Sequence, residues 1–534
     1  MMKQECQNQI LMKECRQIFL YRSTIFLSLC FVFLRLAAQQ QTSYLPPVFT
    51  DSNRLQKIEK TFPVIDSIFK RFMQQNRYPG LAFGLVVDGK LVHANGYGFT
   101  DVEKKIPATP TSQFRIASMT KSFTAMAILK LRDEGKLSLD NPASQYIPEM
   151  KNLPMLTKDA APITVRHLLT HAAGFPEDNP WGDRQLEVSD EQLLNLIKKG
   201  ISFSNAPGAT YEYSNLAFAL LGHIITTISG KPYEQYITEN ILHPLGMKNT
   251  NWEYTKVPSN ELANGYRWLN NDWVKQPMLH DGAYGAMGGL ITSIEDFSKY
   301  MALHLSATPP TNNIETGPIK RSSIREMQQP WTINTLSTKY VFPSGRQCGI
   351  LTAYGYGLRW MKDCDNKVYV GHSGGLPGFG SEWKIMPEYG IGIVSFANLT
   401  YAGMANVNLQ VLDTIIMLAG LKPRQLPPSL ILQQRRDELL KLLPSWKDAK
   451  QSGIFAINFF DDYLLDSLQK EAATIFNDAG KIIKINDVVP LNQLRGSFVL
   501  EGEKKNIQIQ FTLTPENPPL IQEYHIKEMD RTDN

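Results

Sequence analysis

The sequence has little of what marks metal, redox or nucleic-acid-binding proteins. Its 534 residues include only five cysteines, and none of these has the spacing of a metal-binding or redox motif. Basic charge is not in strong excess, since 55 Lys and Arg residues oppose 51 Asp and Glu residues. Nucleic acid is therefore not an expected partner. The hydrophobic content of 43% excludes general disorder and suffices for a large buried core.

The N-terminal region lacks an apolar run long enough to span a membrane. Residues 23–34 form an uninterrupted, mostly apolar run of 12 residues, whereas a spanning helix needs about 20. Cations precede this run and Ala37-Ala38 follow it, as in a secretory signal peptide. We therefore predict a signal peptide over residues 1–38 and an exported, periplasmic or extracellular protein. The less favoured alternatives are a lipoprotein modified at Cys30 and a buried apolar helix.

Only two cysteines, Cys348 and Cys364, remain after the predicted signal peptide. Such a pair in an exported protein either forms a disulfide or stays as two free thiols. The sequence leaves both states open.

Apolar periodicity divides the remaining chain into two domains. Residues 50–421 have strand patterns near both ends and a helical, loop-rich middle, which predicts one mixed sheet built from both ends. Asp88-Gly89 between two apolar runs predicts a tight hairpin. Residues 422–429 are a predicted linker. Residues 430–534 predict a small α+β domain of unassigned role, with clean apolar and polar alternation over residues 506–514.

The same patterns predict individual elements of the larger domain. Apolar spacing predicts one helix over residues 54–75 and another over 404–418. Strands are predicted over residues 354–361, 367–371, 383–386 and 391–397.

The pattern Ser-x-x-Lys occurs four times, at Ser67, Ser118, Ser381 and Ser467, so spacing alone selects none of them. Ser118 differs because it opens a largely apolar helix, where unpaired backbone N–H groups and the helix dipole favour a nearby oxyanion. Lys121 follows on the same helical face. A lysine buried there would lose its charge readily and could take the serine proton. The alternative is a serine N-cap with a surface lysine.

Two further patterns occur once each in the chain. Tyr-x-Asn is found at residues 213–215, just before an apolar helix. His-Ser-Gly is found at residues 372–374 and is followed by another glycine at the end of a predicted strand. Glycines there let the backbone approach a ligand closely. The structural alternatives are a packed core tyrosine and a polar residue at a strand end.

Ser118-Met119-Thr120-Lys121, Tyr213-Ser214-Asn215 and His372-Ser373-Gly374-Gly375 resemble, in this order, the three motifs of the serine β-lactamase and penicillin-binding protein superfamily. The likeness is greatest to its class C-related branch, which includes D-aminopeptidases, D-Ala-D-Ala carboxypeptidases and esterases. Residues 167–175, 207–215 and 288–300 also resemble that branch, and the whole resemblance covers about residues 62–420. It implies an α/β (α+β) fold, in which helices flank a mixed antiparallel sheet beside a helical subdomain.

The resemblance implies an acyl-enzyme serine hydrolase that needs no cofactor and acts on an ester, amide or D-amino-acid peptide bond. Ser118 would be the nucleophile, and Lys121 and Tyr213 would exchange its proton. The N–H groups of Ser118 and Gly375 would hold the oxyanion. The remaining substrate-binding residues would be Asn215, His372, Ser373 and Gly374. The implied partner is a small-molecule or short-peptide substrate, without nucleic acid or a stable membrane span. Which of Lys121 and Tyr213 is the base stays open, as does the oligomeric state.

The third motif departs from the Lys-Thr-Gly of many family members, where a cation holds a substrate carboxylate. A histidine with a pKa near ~6.5 is mostly neutral at pH 7, so His372 predicts a weaker anchor. Small acyl esters or amides without a free carboxylate should then be better substrates than β-lactams. A true β-lactamase, a D-Ala-D-Ala carboxypeptidase and a catalytically silent binding protein on the same fold are the alternatives.

His167 and His171 have the i, i+4 spacing of zinc ligands on a helix. Leu168 stands where the zinc-protease motif has its glutamate. We therefore predict no metal at this site.

Overall fold

The computed structural model describes residues 44–531, and the predicted signal peptide lies outside them. The described chain forms two compact units, one of residues 49–424 and one of residues 425–531 together with 44–48. Each unit has a hydrophobic core of its own. Within residues 44–531, no helix combines the length and the apolar character needed to cross a bilayer.

A nine-stranded antiparallel sheet forms the centre of the larger unit. Its strands are β1 (Gly80–Val87), β2 (Lys90–Asp101), β3 (Ile106–Pro107), β8 (Thr332–Ser337), β9 (Ile350–Tyr354), β10 (Arg359–Asp363), β11 (Val368–Leu376), β12 (Phe379–Met386) and β13 (Ile391–Ala397). Their order is β3-β2-β1-β13-β12-β11-β10-β9-β8. The pairing of β1 with β13 confirms that one sheet is built from both ends of the domain. The predicted hairpin at Asp88-Gly89 is also confirmed, as the turn between β1 and β2.

Helices and small two-stranded sheets complete this unit. The sheets pair β4 (Phe114–Arg115) with β7 (Ile291–Thr292), and β5 (Tyr266–Leu269) with β6 (Asp272–Lys275). The helices are α1 (Arg54–Glu59), α2 (Phe62–Gln75), α3 (Lys121–Asp133), α4 (Val165–Leu169), α5 (Asp190–Lys199), α6 (Asn215–Ser229), α7 (Tyr233–Ile237), α8 (Gly285–Gly288), α9 (Ile294–Ser306), α10 (Arg321–Met327) and α11 (Ala405–Ala419).

The two faces of β1 explain how helices cover both sides of the sheet. Leu81, Phe83 and Leu85 belong to the apolar cluster that includes α1, α2 and α11. Ala82 and Val86 belong to the cluster that includes α3, α6 and α9. Because successive strand residues point to opposite faces, a strand that is apolar throughout requires a core on each side. The unit is therefore layered as helices, sheet and helices.

Two predictions of single elements in this unit are wrong. The helix predicted over residues 54–75 is broken between α1 and α2, where the Thr61 hydroxyl donates to the Ile58 carbonyl and Pro63 lies in the first turn of the next helix. The strand predicted over residues 354–361 is two strands, since β9 ends at Tyr354 and β10 begins at Arg359. Gly357, with a φ of 64°, lies in the turn between them. The strand predicted at residues 391–397 is confirmed as β13.

The smaller unit is an α+β module. It contains α12 (Leu430–Leu442), α13 (Phe459–Asp462), α14 (Leu465–Ala479), β14 (Ile482–Ile485), β15 (Val489–Asn492), β16 (Arg495–Gly502), β17 (Asn506–Leu513) and β18 (Ile521–Met529). The strands form one antiparallel sheet. Ile507, Ile509 and Phe511 of β17 are buried in the same core as Leu468 of α14. The alternation seen in the sequence therefore corresponds to one apolar and one polar face.

Candidate active site

Ser118 lies in a single turn of 3-10 helix, Ala117–Thr120, that leads directly into α3. Its side chain is at a cavity wall, and the residue is 7% exposed. Ala117, immediately before it, has a φ of 50°, which is uncommon for a residue with a side chain. Backbone in such a conformation persists only where the surroundings enforce it, often at functional sites. The fold thus holds Ser118 at the start of a buried helix.

Lys121 is fully buried beside Ser118, so the alternative of a surface lysine is wrong. Its Nζ donates to Ser118 Oγ at 3.0 Å, to Asn215 Oδ1 at 2.7 Å and to the Met287 carbonyl at 3.1 Å. Burial lowers the pKa of Lys121 to about 7, while the charges of Asp183 and Asp178 oppose that shift. Lys121 can therefore gain or lose a proton near neutral pH, within hydrogen-bond distance of the serine.

The segment of residues 213–215 is fixed where α6 begins. Ser214 Oγ accepts the N–H of Ala217 at 3.3 Å and so caps the helix. The Asp178 carboxylate accepts the N–H groups of Asn215 at 2.6 Å and Leu216 at 2.8 Å. These contacts satisfy the free amides of the first helical turn. The Asn215 side chain is held separately, since its Nδ2 donates to Asn179 Oδ1 at 2.7 Å while its Oδ1 accepts from Lys121.

Tyr213 lines the same cavity as Ser118. Lys121 Nζ is 4.9 Å from the centre of the Tyr213 ring. Burial raises the pKa of Tyr213 far above its usual range, although the positive charge of Arg359 and a hydrogen bond with Ser118 oppose the shift. The phenol therefore keeps its proton at neutral pH.

The third motif lies at the end of β11 and is pressed against the turn that carries Ser118. A Cβ on Gly374 would lie 2.2 Å from the Ile116 carbonyl oxygen and 3.0 Å from the Ala117 Cβ, so only glycine allows this approach. Ser373 and Gly375 line the cavity. The motif thus brings its backbone next to Ser118, as the glycine-rich sequence indicates.

His372 is placed differently from the other third-motif residues, because it is 1% exposed and does not line the cavity. Its Nδ1–H donates to the Ser373 carbonyl at 2.5 Å, and its Nε2 accepts from the Tyr354 hydroxyl at 2.8 Å. Burial lowers the pKa of His372 well below its usual value, and the charges of Arg359 and Lys121 lower it further. His372 is therefore a neutral residue that supports the cavity wall from behind.

The sequence did not single out several residues of the cavity, which has a volume of about 390 Å³. Its walls are formed by Ser118, Asn179, Pro180, Asp183, Tyr213, Arg359, Ser373, Gly375 and Tyr401. Arg359 is the cation among these lining residues. Its guanidinium is 5.7 Å from the centre of the Tyr213 ring, and it has no side-chain hydrogen bond or ion pair within residues 44–531. A fixed cation is thus present beside Ser118, although the third motif does not supply it.

The two histidines with zinc-like spacing both accept backbone N–H groups. His167 Nδ1 accepts from Thr164 at 3.3 Å, and His171 Nδ1 accepts from Ser214 at 3.1 Å. His171 also lies beyond the end of α4, so the pair does not share one helical face.

Cys348 and Cys364 form a disulfide with an S–S distance of 1.99 Å. This decides between the two states that the sequence left open. Cys348 precedes β9 and Cys364 follows β10. The bond therefore closes the open end of this hairpin, opposite the turn between Tyr354 and Arg359.

Comparison with known proteins gives a consistent assignment. A profile of the beta-lactamase family matches residues 65–414. Protein flp of Staphylococcus aureus (strain MW2) is 32% identical over 343 residues, which are 63% of this chain and 62% of that protein. The chain therefore spans less than two thirds of the length of that relative.

Two solved structures show the same fold. The octameric penicillin-binding protein homologue from Pyrococcus abyssi is 25% identical, with a TM-score of 0.55 over 88% of this chain and 96% of that chain. A class C beta-lactamase is 22% identical, with a TM-score of 0.52 over 67% of this chain and 96% of that chain. Because the family profile covers more than half of the sequence, this protein belongs to the beta-lactamase family, within the superfamily of serine β-lactamases and penicillin-binding proteins.

Proposed function

We propose that this protein is an exported serine hydrolase that forms an acyl-enzyme on Ser118. The observation that carries the proposal is the hydrogen bond between Ser118 Oγ and Lys121 Nζ, at 3.0 Å. A lysine whose pKa is lowered to about 7 by burial is a suitable base at neutral pH. Lys121 would take the serine proton while Ser118 attacks a carbonyl carbon of the substrate.

Tyr213 would act as a proton donor rather than as the first base. Its raised pKa keeps the phenol protonated at neutral pH. The phenol would pass a proton to the leaving group and regain one from Lys121. The N–H groups of Ser118 and Gly375 would hold the oxyanion, because β11 runs beside the turn that carries Ser118. Water would then hydrolyse the acyl-enzyme.

Arg359 supports a different substrate preference from the one that His372 predicts. An arginine stays charged at all working pH values, and this one faces the cavity without a partner among the described residues. It can bind a carboxylate through two parallel hydrogen bonds. We therefore propose that carboxylate-bearing esters, amides or short peptides are preferred, in place of the neutral compounds expected from the histidine.

Export is supported by two independent features. Residues 1–38 have the pattern of a signal peptide, and the Cys348–Cys364 disulfide is of a kind that persists in oxidising compartments. Mass spectrometry of the mature protein from fractionated cells tests this part of the proposal. An unprocessed N-terminus in the cytosolic fraction would contradict it.

The hydrolase proposal is tested by labelling the purified protein with a fluorophosphonate and with a fluorescent penicillin. We expect covalent labelling and turnover in a screen of p-nitrophenyl esters, D-aminoacyl amides, D-Ala-D-Ala peptides and nitrocefin. Ser118→Ala should abolish both labelling and turnover, because the loss of a nucleophile costs orders of magnitude in rate. The same change should cost at most ~1–2 kcal/mol of stability. Absence of labelling in the folded wild type would instead favour a silent binding protein.

A further inference from the structure

Asp183 is a carboxylate at the cavity wall that the proposed mechanism does not use. It lies in a short turn, Gly182–Arg184, between α4 and α5 and is 2% exposed. Its Oδ2 accepts from the Tyr401 hydroxyl at 3.0 Å, and its Oδ1 is 3.5 Å from Asn215 Nδ2. One carboxylate oxygen therefore has only a single long contact, and the group borders the space beside Ser118.

The neighbouring acid Asp178, in the same segment, is a carboxylate whose two oxygens both accept short hydrogen bonds. Both of its oxygens accept N–H groups from the first turn of α6, at 2.6 and 2.8 Å. Asp178 does not line the cavity. Of these two buried acids, only Asp183 is placed to meet a ligand.

Asp183 also has no cation paired with it within residues 44–531. The three hydrogen bonds of Lys121 go to Ser118, Asn215 and Met287. Arg359, the free cation of the cavity, forms no ion pair with Asp183 either. Burial of this carboxylate is costly and raises its pKa, while the charge of Lys121 opposes that shift without forming an ion pair with Asp183. A cation delivered by a ligand would remove that cost.

We propose that Asp183 binds the ammonium group of the substrate, so that the enzyme prefers acyl compounds with a free amine. The cavity then offers a carboxylate for that amine and the Arg359 guanidinium for a substrate carboxylate. The preferred substrate class is zwitterionic, such as an amino-acid derivative or short peptide with a free amine. This inference rests on the proposed hydrolase function and names the substrate class of the same site.

A purely electrostatic role for Asp183 gives a different expectation. Its negative charge raises the pKa of Lys121, so any substitution there changes the base that serves every substrate. That effect changes kcat/KM for all substrates by the same factor. Binding of an ammonium group changes the ratio between substrates with and without the amine. The ratio is therefore the quantity to measure.

The experiment compares kcat/KM for D-alanine p-nitroanilide and N-acetyl-D-alanine p-nitroanilide in the full-length enzyme. We expect the wild type to prefer the free amine and Asp183→Asn to reduce that preference about ten- to a hundredfold, as for the loss of one charge-assisted hydrogen bond. Asp183→Glu should restore part of it. Glu187→Gln is the matched control, since Glu187 is an exposed carboxylate of the same segment that does not line the cavity.

A second measurement needs no turnover. Ampicillin carries an ammonium group that benzylpenicillin lacks, and both compounds carry a carboxylate. We expect ampicillin to slow fluorophosphonate labelling of Ser118 at lower concentration than benzylpenicillin, and Asp183→Asn to remove the difference.

The ammonium site would be overturned if the wild type showed equal kcat/KM for the two p-nitroanilides and equal protection by the two penicillins. An unchanged ratio of the two kcat/KM values in Asp183→Asn would overturn it as well. The ammonium site would also be overturned if the enzyme hydrolysed neither p-nitroanilide and neither penicillin slowed labelling, while the fluorophosphonate still labelled Ser118. That result would leave the hydrolase function standing. Absence of labelling itself would contradict the hydrolase function.

Discussion

The proposed role of Arg359 gives a prediction whose size follows from its surroundings. Arg359→Gln removes a cation that lines the cavity. A carboxylate bound by arginine gains roughly 1.5–3 kcal/mol from a charge-assisted hydrogen bond. At 1.4 kcal/mol for each factor of ten, its loss should lower kcat/KM for a carboxylate-bearing substrate about ten- to a hundredfold.

The fold should tolerate this substitution. The Arg359 side chain lines the cavity and makes no hydrogen bond or ion pair to any residue in the described part of the chain. Its contact with the Tyr213 ring, 5.7 Å from the guanidinium to the ring centre, is worth roughly 0.5–1 kcal/mol. The melting temperature should therefore stay close to that of the wild type, which separates loss of binding from loss of structure.

The assay measures the rate of Ser118 acylation by benzylpenicillin and by its methyl ester, which lacks the negative charge. Arg359→Gln should slow acylation by the acid and leave the ester much less affected. Arg71→Gln, an exposed arginine of α2 far along the chain from the site, is the control for loss of net charge. An equal effect on acid and ester would refute the assignment, and so would an unchanged rate for the acid.

Two further predictions concern the base and the third motif. Lys121 must be neutral to accept a proton, so the rate of fluorophosphonate labelling should fall as the pH drops below about 7. Because the charge of Asp183 raises the pKa of Lys121, Asp183→Asn should move this limb to lower pH, and an unmoved limb would point to another base. Gly374→Ala should displace the turn that carries Ser118 and lower both activity and melting temperature, because its Cβ would lie 2.2 Å from a carbonyl oxygen. Gly403→Ala, with no atom within 4 Å of its Cβ, should change neither.

The sequence was sufficient for residues whose chemistry is tied to a local pattern. Ser118 and Lys121 are three residues apart, in the 3-10 turn and at the first position of α3, and the start of that helix is visible from the apolar run after it. Asn215 belongs to the Tyr-x-Asn pattern, which directly precedes the apolar run that forms α6. Each of these positions depends mainly on its own segment. That the segments of Ser118, Tyr213 and His372 meet in the fold is implied only by the resemblance to known motifs.

Asp183 illustrates what such patterns cannot supply. It lies in a loop without helical or strand periodicity, close to two other acids, Glu177 and Asp178. Asp178 is used as a cap for α6, whereas Asp183 faces the cavity. Which acid takes which role depends on how the loop folds against α6 and on the position of Tyr401 more than two hundred residues away. No property of the loop sequence alone separates them.

Arg359 was missed for a more specific reason, which also explains why His372 need not carry charge. Residues 354–361 are rich in aromatic and apolar side chains, a pattern that predicts one continuous strand. The two glycines at 355 and 357 are the turn signal that would have divided it.

The turn between β9 and β10 places Arg359 opposite both Tyr354 and Gly371, so the guanidinium lies next to the strand position that precedes His372. A second cation at His372 would be repelled by Arg359, which is one reason why the pKa of this histidine is low. The neutral histidine and the neighbouring arginine are therefore one consistent arrangement, in which the positive charge of the site comes from the adjacent strand.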